Sequence, residues 1–114
     1  QSVFTHGVEL GLARNQSRDL RAASEALLES LASSNPRLRQ RSDWLATSVS
    51  GRRALQTRLE NVSEATGRTE TIVLITTQTR DGNLFYTVAV APQDEMPRYE
   101  PAFQQVVRSI RLTE

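Results

Sequence analysis

Apolar and polar residues alternate over positions 3–13 of the chain. One side of the alternation carries Phe4, His6, Val8, Leu10 and Leu12. The other side carries small or polar residues. A period of two predicts a β-strand with one apolar face.

Two helices are predicted where apolar residues recur every three or four positions. The first covers residues 20–31, with polar N-cap candidates at 15–17. It is expected to stop at 33–36, because a proline disfavours the helical conformation of the residue before it. The second helix begins near Pro97 and carries an apolar stripe of Phe103, Val106, Val107 and Ile110.

Four further strands are predicted at 43–49, 53–61, 69–78 and 84–91. The second and third strands of the chain are joined by a turn at Ser50, Gly51 and Arg52, which predicts a hairpin. Four consecutive apolar residues at 72–75 indicate a central strand, and the Asp81-Gly82 pair is typical of a tight hairpin turn.

Strands in hairpins with helices near the two ends predict an α+β fold, in which an antiparallel sheet of about five strands packs with two helices. We expect one domain over residues 1–114, since 114 residues with 38% hydrophobic content suit a single core. The residues expected in the interior are Leu10, Leu20, Leu27, Leu31, Leu55, Leu59, Val73, Ile75, Phe85, Val88, Val90, Phe103, Val107 and Ile110.

Composition excludes several classes of function. The absence of cysteine excludes disulfide frameworks, thiol nucleophiles and cysteine zinc sites. Fourteen arginines and no lysine balance 13 acidic residues to a net charge of +1, so no strong field favours nucleic acid. No apolar run approaches the roughly 18 residues of a membrane span, so the chain is not expected to be transmembrane.

The residues that could carry catalysis are few. His6 is the only histidine, so a histidine-rich metal site is excluded, and we interpret His6 as structural. Ser48 and Ser50 lack the glycine spacing of a nucleophile elbow. Asp94 and Glu95 are interpreted as complements to the start of the second helix rather than as an acid–base pair. We therefore assign no catalytic, cofactor-binding or metal-ligating residue and expect no cofactor and no enzyme activity in this segment.

Arginines and aromatic residues offer two weaker candidates. The arginines cluster in two groups, which are Arg14, Arg18 and Arg21 on the first helix and Arg37, Arg39 and Arg41 after it. Acidic residues lie among them, with Glu25 and Glu29 expected to form an exposed ion-pair ladder with Arg21, so nucleic-acid binding is not favoured. Trp44, Tyr86 and Tyr99 are aromatic residues that could line an apolar pocket, although the edge of a core explains them as well.

Several segments resemble the C-terminal region of bacterial HtpX-like zinc metallopeptidases. They are 34–39 (SNPRLR), 49–52 (VSGR), 69–77 (TETIVLITT), 81–86 (DGNLFY), 90–92 (VAP) and 99–112 (YEPAFQQVVRSIRL). The closing pattern is also similar to PsbP-like domains, in which an antiparallel sheet is packed between helices. In the peptidases the zinc-binding His-Glu-x-x-His motif lies in an upstream domain, and this chain contains no such motif.

The resemblance implies a non-catalytic C-terminal accessory domain, part of a longer exported protein located in the periplasm or outside the cell. Its expected partner is a protein or its own upstream peptidase domain. One or two strands usually precede residue 3 in these relatives, and a missing edge would invite pairing between chains, so an edge-strand dimer stays open. The alternative is a PsbP-like module that binds a small ligand or lipid in a cavity near Trp44 and Tyr86.

Overall fold

The computed structural model describes residues 6–14 and 18–112. Six strands and two helices follow in the order β1 (Gly7–Ala13), α1 (Leu20–Ser34), β2 (Arg39–Gln40), β3 (Leu45–Val49), β4 (Arg52–Val62), β5 (Thr69–Gln78), β6 (Leu84–Pro92) and α2 (Met96–Ser109). The α+β prediction is confirmed. The expected strand at 3–13 begins at Gly7 in the structure, and residues 3–5 lie outside the described residues.

The strands form one antiparallel sheet in the order β1-β6-β5-β4-β2, and β3 pairs with the same edge of β4 as β2 does. The sequence predicted about five strands because β2 has only two residues and so shows no period-two pattern. The turn between β3 and β4 is a two-residue hairpin. Ser50 and Gly51 both have positive φ, 53° and 75°, as a type I′ turn requires.

Alternate residues of the central strand β5 point to opposite helices. Ile72 and Leu74 belong to the cluster under α1, whereas Val73 and Ile75 belong to the cluster that includes Phe103 and Val107 of α2. The two clusters divide the core of the described residues between the two faces of the sheet. We call the two sides of the sheet the α1 face and the α2 face.

Helix α1 packs across β4, β5 and β6, and a buried polar contact fixes its position. Ser24 donates to the Leu20 carbonyl at 2.7 Å, so the Thr76 hydroxyl, 2.6 Å from Ser24 Oγ, acts as the donor to Ser24. The N-cap is Asp19, whose carboxylate accepts from the Arg21 amide at 3.3 Å, and the expected caps at 15–17 lie outside the described residues. The helix ends at Ser34, as predicted.

Helix α2 packs mainly on β6, and the N-terminal cap differs from the prediction. Glu95 is the N-cap residue but its side chain makes no capping hydrogen bond. Instead Glu95 and Asp94 accept from Arg68, at 3.5 and 2.9 Å. Because a guanidinium lies within reach, the two carboxylates pair with a charge instead of the helix amides.

The core prediction holds except at one residue. Eight of the expected residues are buried: Leu20, Leu55, Leu59, Val73, Ile75, Val88, Val90 and Ile110. Five are partly buried and pack against the clusters: Leu27, Leu31, Phe85, Phe103 and Val107. The prediction for Leu10 is wrong, since this residue is 51% exposed. Its strand is an edge strand, and α2 covers only the beginning of that strand, so the apolar period-two pattern at Leu10 marks a surface instead of a core.

Truncation of a buried leucine should show how strongly the central strand holds the fold. Leu74→Ala removes a fully buried side chain of β5 and is expected to lower the free energy of unfolding by about 2–5 kcal/mol. Leu45→Ala makes the same chemical change at a side chain that is 59% exposed, and is expected to cost no more than about 0.5 kcal/mol. Urea denaturation of the two variants measures the difference, and equal costs would contradict the central role of β5.

Candidate interaction surface

The apolar residues of β1 lie on the α2 face and are exposed. Val8, Leu10 and Leu12 pair in register with Ala89, Thr87 and Phe85 of β6. Their exposed fractions rise along the strand from 37% to 51% to 65%. Three alternate residues of one strand, which carry side chains typical of a core, therefore face solvent.

The reason is that α2 covers only the beginning of β1. Val8 shares a small gap with Phe103 and Val107 of α2. Beyond this point a shallow open groove is lined by Leu10 and Leu12 together with Phe85 and Leu112, and also by Thr79 and Arg111. We call the apolar residues of this edge, which are Val8, Leu10, Leu12, Phe85 and Leu112, the β1 patch. Contiguous exposed apolar surface of this kind marks interaction sites in soluble proteins.

The opposite edge of the sheet has a different construction. It consists of two short strands, β2 and β3, separated by residues 41–44. Arg41 in this interruption pairs with Glu60 at 3.0 Å, and Arg39 donates to the carbonyls of Pro36 and Leu38. Short strands, interruptions and charged side chains discourage pairing with other chains. β1 runs for seven uninterrupted residues and carries one charged residue, Glu9. Of the two edges of the sheet, the β1 edge is therefore the one that lacks these protections.

A close contact joins β1 to β6 at Gly11. A Cβ at this position would lie 2.5 Å from Cζ and Oη of Tyr86, its cross-strand partner. The tyrosine ring therefore lies over the glycine backbone, on the α1 face of the edge. Glycine is needed at position 11 for this approach, because any larger residue would displace the ring.

The single histidine contacts a buried carboxylate. His6 Nε2 lies 2.7 Å from Oε2 of Glu70, and Oε1 of Glu70 accepts from Asn61 Nδ2 at 3.4 Å. Glu70 is only 2% exposed, whereas the His6 side chain is 47% exposed. Glu70 belongs to no sequence motif, although its even spacing from Ile72 and Leu74 in the same strand places it on an inward-facing position.

His6 also lines a half-open cavity of about 380 Å³ at the N-terminal end of α2. The side chains of Arg68, Glu95, Tyr99 and Phe103 line the same cavity. Tyr99 and Phe103 are stacked with ring centroids 6.4 Å apart. Among the lining residues that the structure describes, none is a serine, threonine, cysteine or lysine, so this part of the chain places no side-chain nucleophile of those types beside the histidine.

The remaining candidates have structural roles. Ser50 Oγ accepts from the Leu112 amide at 3.1 Å, which ties the hairpin turn to the chain after α2.

Within the described ranges 6–14 and 18–112, no group of three or more histidine or acidic side chains is placed to hold a metal ion. No helix in these ranges has the length and apolar character needed to cross a bilayer.

The arginines of the first group do not lie along one side of α1. Arg14 and Arg18 precede α1, which begins at Leu20, so the prediction of three arginines along one side of the helix is wrong. Arg21 pairs with Glu25 at 3.5 Å, as predicted for the exposed ladder.

The three aromatic candidates are separated in the structure. Trp44 is buried in the cluster under α1, and Tyr86 packs against the same cluster while its ring reaches Gly11. Tyr99 belongs to α2 on the other face. The three therefore do not line one pocket, although Tyr99 lines the cavity beside His6.

Comparison with known proteins identifies a similar fold. No family model matches the chain, and no curated protein matches it. Among solved structures, the fold is similar to that of PA94 from Pseudomonas aeruginosa, a protein of unknown function that has been suggested to be a regulator. The TM-score is 0.68 at 14% sequence identity, over 97% of this chain and 86% of that chain. At this identity the likeness shows the α+β fold alone.

The His6–Glu70 contact generates a stability prediction. His6→Ala leaves the buried Glu70 carboxylate with Asn61 as its partner among the described residues, so we expect the free energy of unfolding to fall by about 1–3 kcal/mol. Glu70→Gln in the His6→Ala background should recover part of the loss, because a neutral amide is cheaper to bury than a carboxylate. Urea denaturation of the two single variants and the double variant gives the coupling. A coupling of zero would mean that the contact contributes nothing.

Proposed function

We propose that this chain is a non-catalytic interaction domain and that the β1 patch is its contact surface. The observation that carries the proposal is the exposure of Val8, Leu10 and Leu12 on an edge strand. An edge strand offers unpaired backbone groups to an added strand, and its exposed side chains can be buried by the same partner. Both kinds of contact are available at one place on the molecule.

The residues around His6 favour a binding or structural role over catalysis. The histidine contacts a buried carboxylate, an arrangement that orients an imidazole, but among the described lining residues the cavity brings no serine, threonine, cysteine or lysine to it. Arg68 is already engaged by Asp94 and Glu95. These contacts support the proposal that this segment is not an enzyme.

The resemblance to HtpX-like metallopeptidases supplies the proposed setting. We infer an accessory domain of an exported bacterial zinc metallopeptidase, acting in the periplasm or outside the cell. Its contact is a protein partner or its own upstream peptidase domain, where the zinc motif would lie. The gene segment upstream of Gln1 tests this setting. A leader and a His-Glu-x-x-His motif there would support it, whereas a start codon directly before Gln1 would contradict it.

A second candidate function is the binding of a small ligand or lipid, and the cavity beside His6 favours it. Its volume of about 380 Å³ lies within the range of ligand sites, and Tyr99 and Phe103 supply an aromatic wall. Native mass spectrometry of the chain purified from its natural host would reveal a bound molecule. If Phe103→Ala released that molecule and Leu12→Asp did not, the ligand-binding function would replace the interaction domain as the better proposal.

Photo-crosslinking tests the contact surface directly. A photo-crosslinking amino acid at position 12, in the full-length protein within its host, should give a covalent product with a protein or with the upstream domain. The matched control is position 47, an exposed residue of β3 on the same face at the other edge. Mass spectrometry of the crosslinked peptides identifies the contact. Equal yields at positions 12 and 47 would contradict the role of the β1 patch.

A further inference from the structure

We propose that the β1 patch is occupied by the same patch of a second copy of this chain. In this dimer the two β1 strands run antiparallel about a two-fold axis at Leu10, which joins the two six-stranded sheets edge to edge. The inference rests on the proposed function, since it names the occupant of the same surface.

The free edge of β1 has the properties that pairing requires. Among the described residues its inner edge is paired with β6 over all seven positions, and its outer edge ends the sheet. β1 contains no proline that would remove an amide donor, and no interruption. The contrast with the short, arginine-bearing edge of β2 and β3 leaves β1 as the edge suited to a continuous sheet.

The sequence of β1 is complementary to itself in one register. With Leu10 opposite Leu10, Val8 lies opposite Leu12, and every apolar side chain of one copy meets an apolar side chain of the other on the α2 face. Glu9 then lies opposite Gly11. A register centred on Glu9 would instead place two like charges directly opposite, which is destabilising. The register centred on Gly11 would place Val8 opposite Arg14, a charged residue beyond the end of β1.

In the register centred on Leu10, Glu9 lies on the α1 face beside a hydrogen-bond donor of the other copy. Glu9 is the only charged residue of β1. The Tyr86 ring lies over Gly11 and brings its hydroxyl to the edge of the sheet. Within residues 6–14 and 18–112, neither the Tyr86 hydroxyl nor the Glu9 carboxylate has a hydrogen-bond partner. Because Glu9 of the second copy lies opposite Gly11, its carboxylate comes beside this hydroxyl. Symmetry supplies the contact twice.

The pattern of apolar and polar groups at this edge also favours a second copy of the chain over an unrelated strand. Each copy brings three exposed side chains of β1 with Phe85 and Leu112 beside them, so the axis is surrounded by apolar groups from both chains. A foreign strand would need alternating apolar residues and an acidic residue at the position that meets Tyr86. A second copy satisfies both requirements at once.

Sedimentation equilibrium of the full 114-residue chain tests the proposal. We expect a species of twice the 12.8 kDa chain mass, which dissociates on dilution. Leu10→Asp should weaken the dimer by about a hundredfold, because the substitution enters twice and replaces an apolar contact by two facing charges. Leu45→Asp, which adds the same charge at the other edge, should leave the dimer unchanged.

Charge complementation identifies the register. Leu10→Asp and Leu10→Lys should each be monomeric alone, whereas their equimolar mixture should form a heterodimer, because position 10 faces position 10. Val8→Lys with Leu12→Asp in one chain should dimerise, whereas Val8→Asp with Leu12→Asp should not. Tyr86→Phe keeps the ring over Gly11 but removes the donor, and should weaken the dimer by about tenfold or more. Circular dichroism establishes that each variant is folded.

The outcomes separate this inference from the function on which it rests. A wild-type chain that stays monomeric at all concentrations overturns the dimer. A dimer that survives Leu10→Asp, or a charged pair that does not recombine, overturns the proposed register and interface. If the chain is monomeric but position 12 crosslinks to another protein or to the upstream domain, the interaction function stands and only the self-pairing fails. If position 12 gives neither dimer nor crosslink, both proposals fail.

Discussion

The double burial of β5 is the constraint on which the rest of the structure depends. Its middle residues, 72–75, are apolar on both faces, because α1 covers one face of the sheet and α2 the other. β4 and β6 flank β5 and share this environment over most of their length. The two helices are therefore committed to the middle of the sheet, and their positions determine which strands are left at the surface.

The exposed edge at β1 is a consequence of this geometry. Two helices of 14 and 15 residues cannot cover both faces of a six-stranded sheet, so the flanking strands are partly uncovered. At the β2–β3 edge the chain carries short strands and arginine contacts. At β1 it keeps an apolar alternation typical of buried strands. The difference between the two edges is why the interaction surface is proposed at β1 and not at β3, although Leu45 is also exposed.

Two polar contacts inside the fold satisfy groups that the sheet would otherwise bury alone. Thr76 and Ser24 join β5 to α1, while Glu70 obtains His6 and Asn61. A buried carboxylate is costly without partners, so His6 is explained by the needs of Glu70 before any catalytic role is considered. This accounts for a solitary histidine in a domain for which we propose no reaction.

Most elements and most core residues were predictable from local sequence patterns. Period-two and helical patterns reflect local geometry, so the strands after residue 43, both helices and the hairpin at Ser50 were predictable. The two-residue strand β2 was not, since two residues carry no period. The expectations of one domain, of an exported accessory role and of the absence of cofactors stay predictions.

Whether an apolar face meets a helix or solvent depends on strand order and helix placement. The alternation that buries Val73 and Ile75 is the same as the alternation that leaves Leu10 and Leu12 in solvent, because the first strand is central and the second is at an edge. In the same way, Asp94 and Glu95 sit where helix capping is expected but contact Arg68, which is distant in sequence. A sequence pattern specifies which side of an element is apolar. Strand order and helix placement, set by long-range packing, specify whether that side is core or surface.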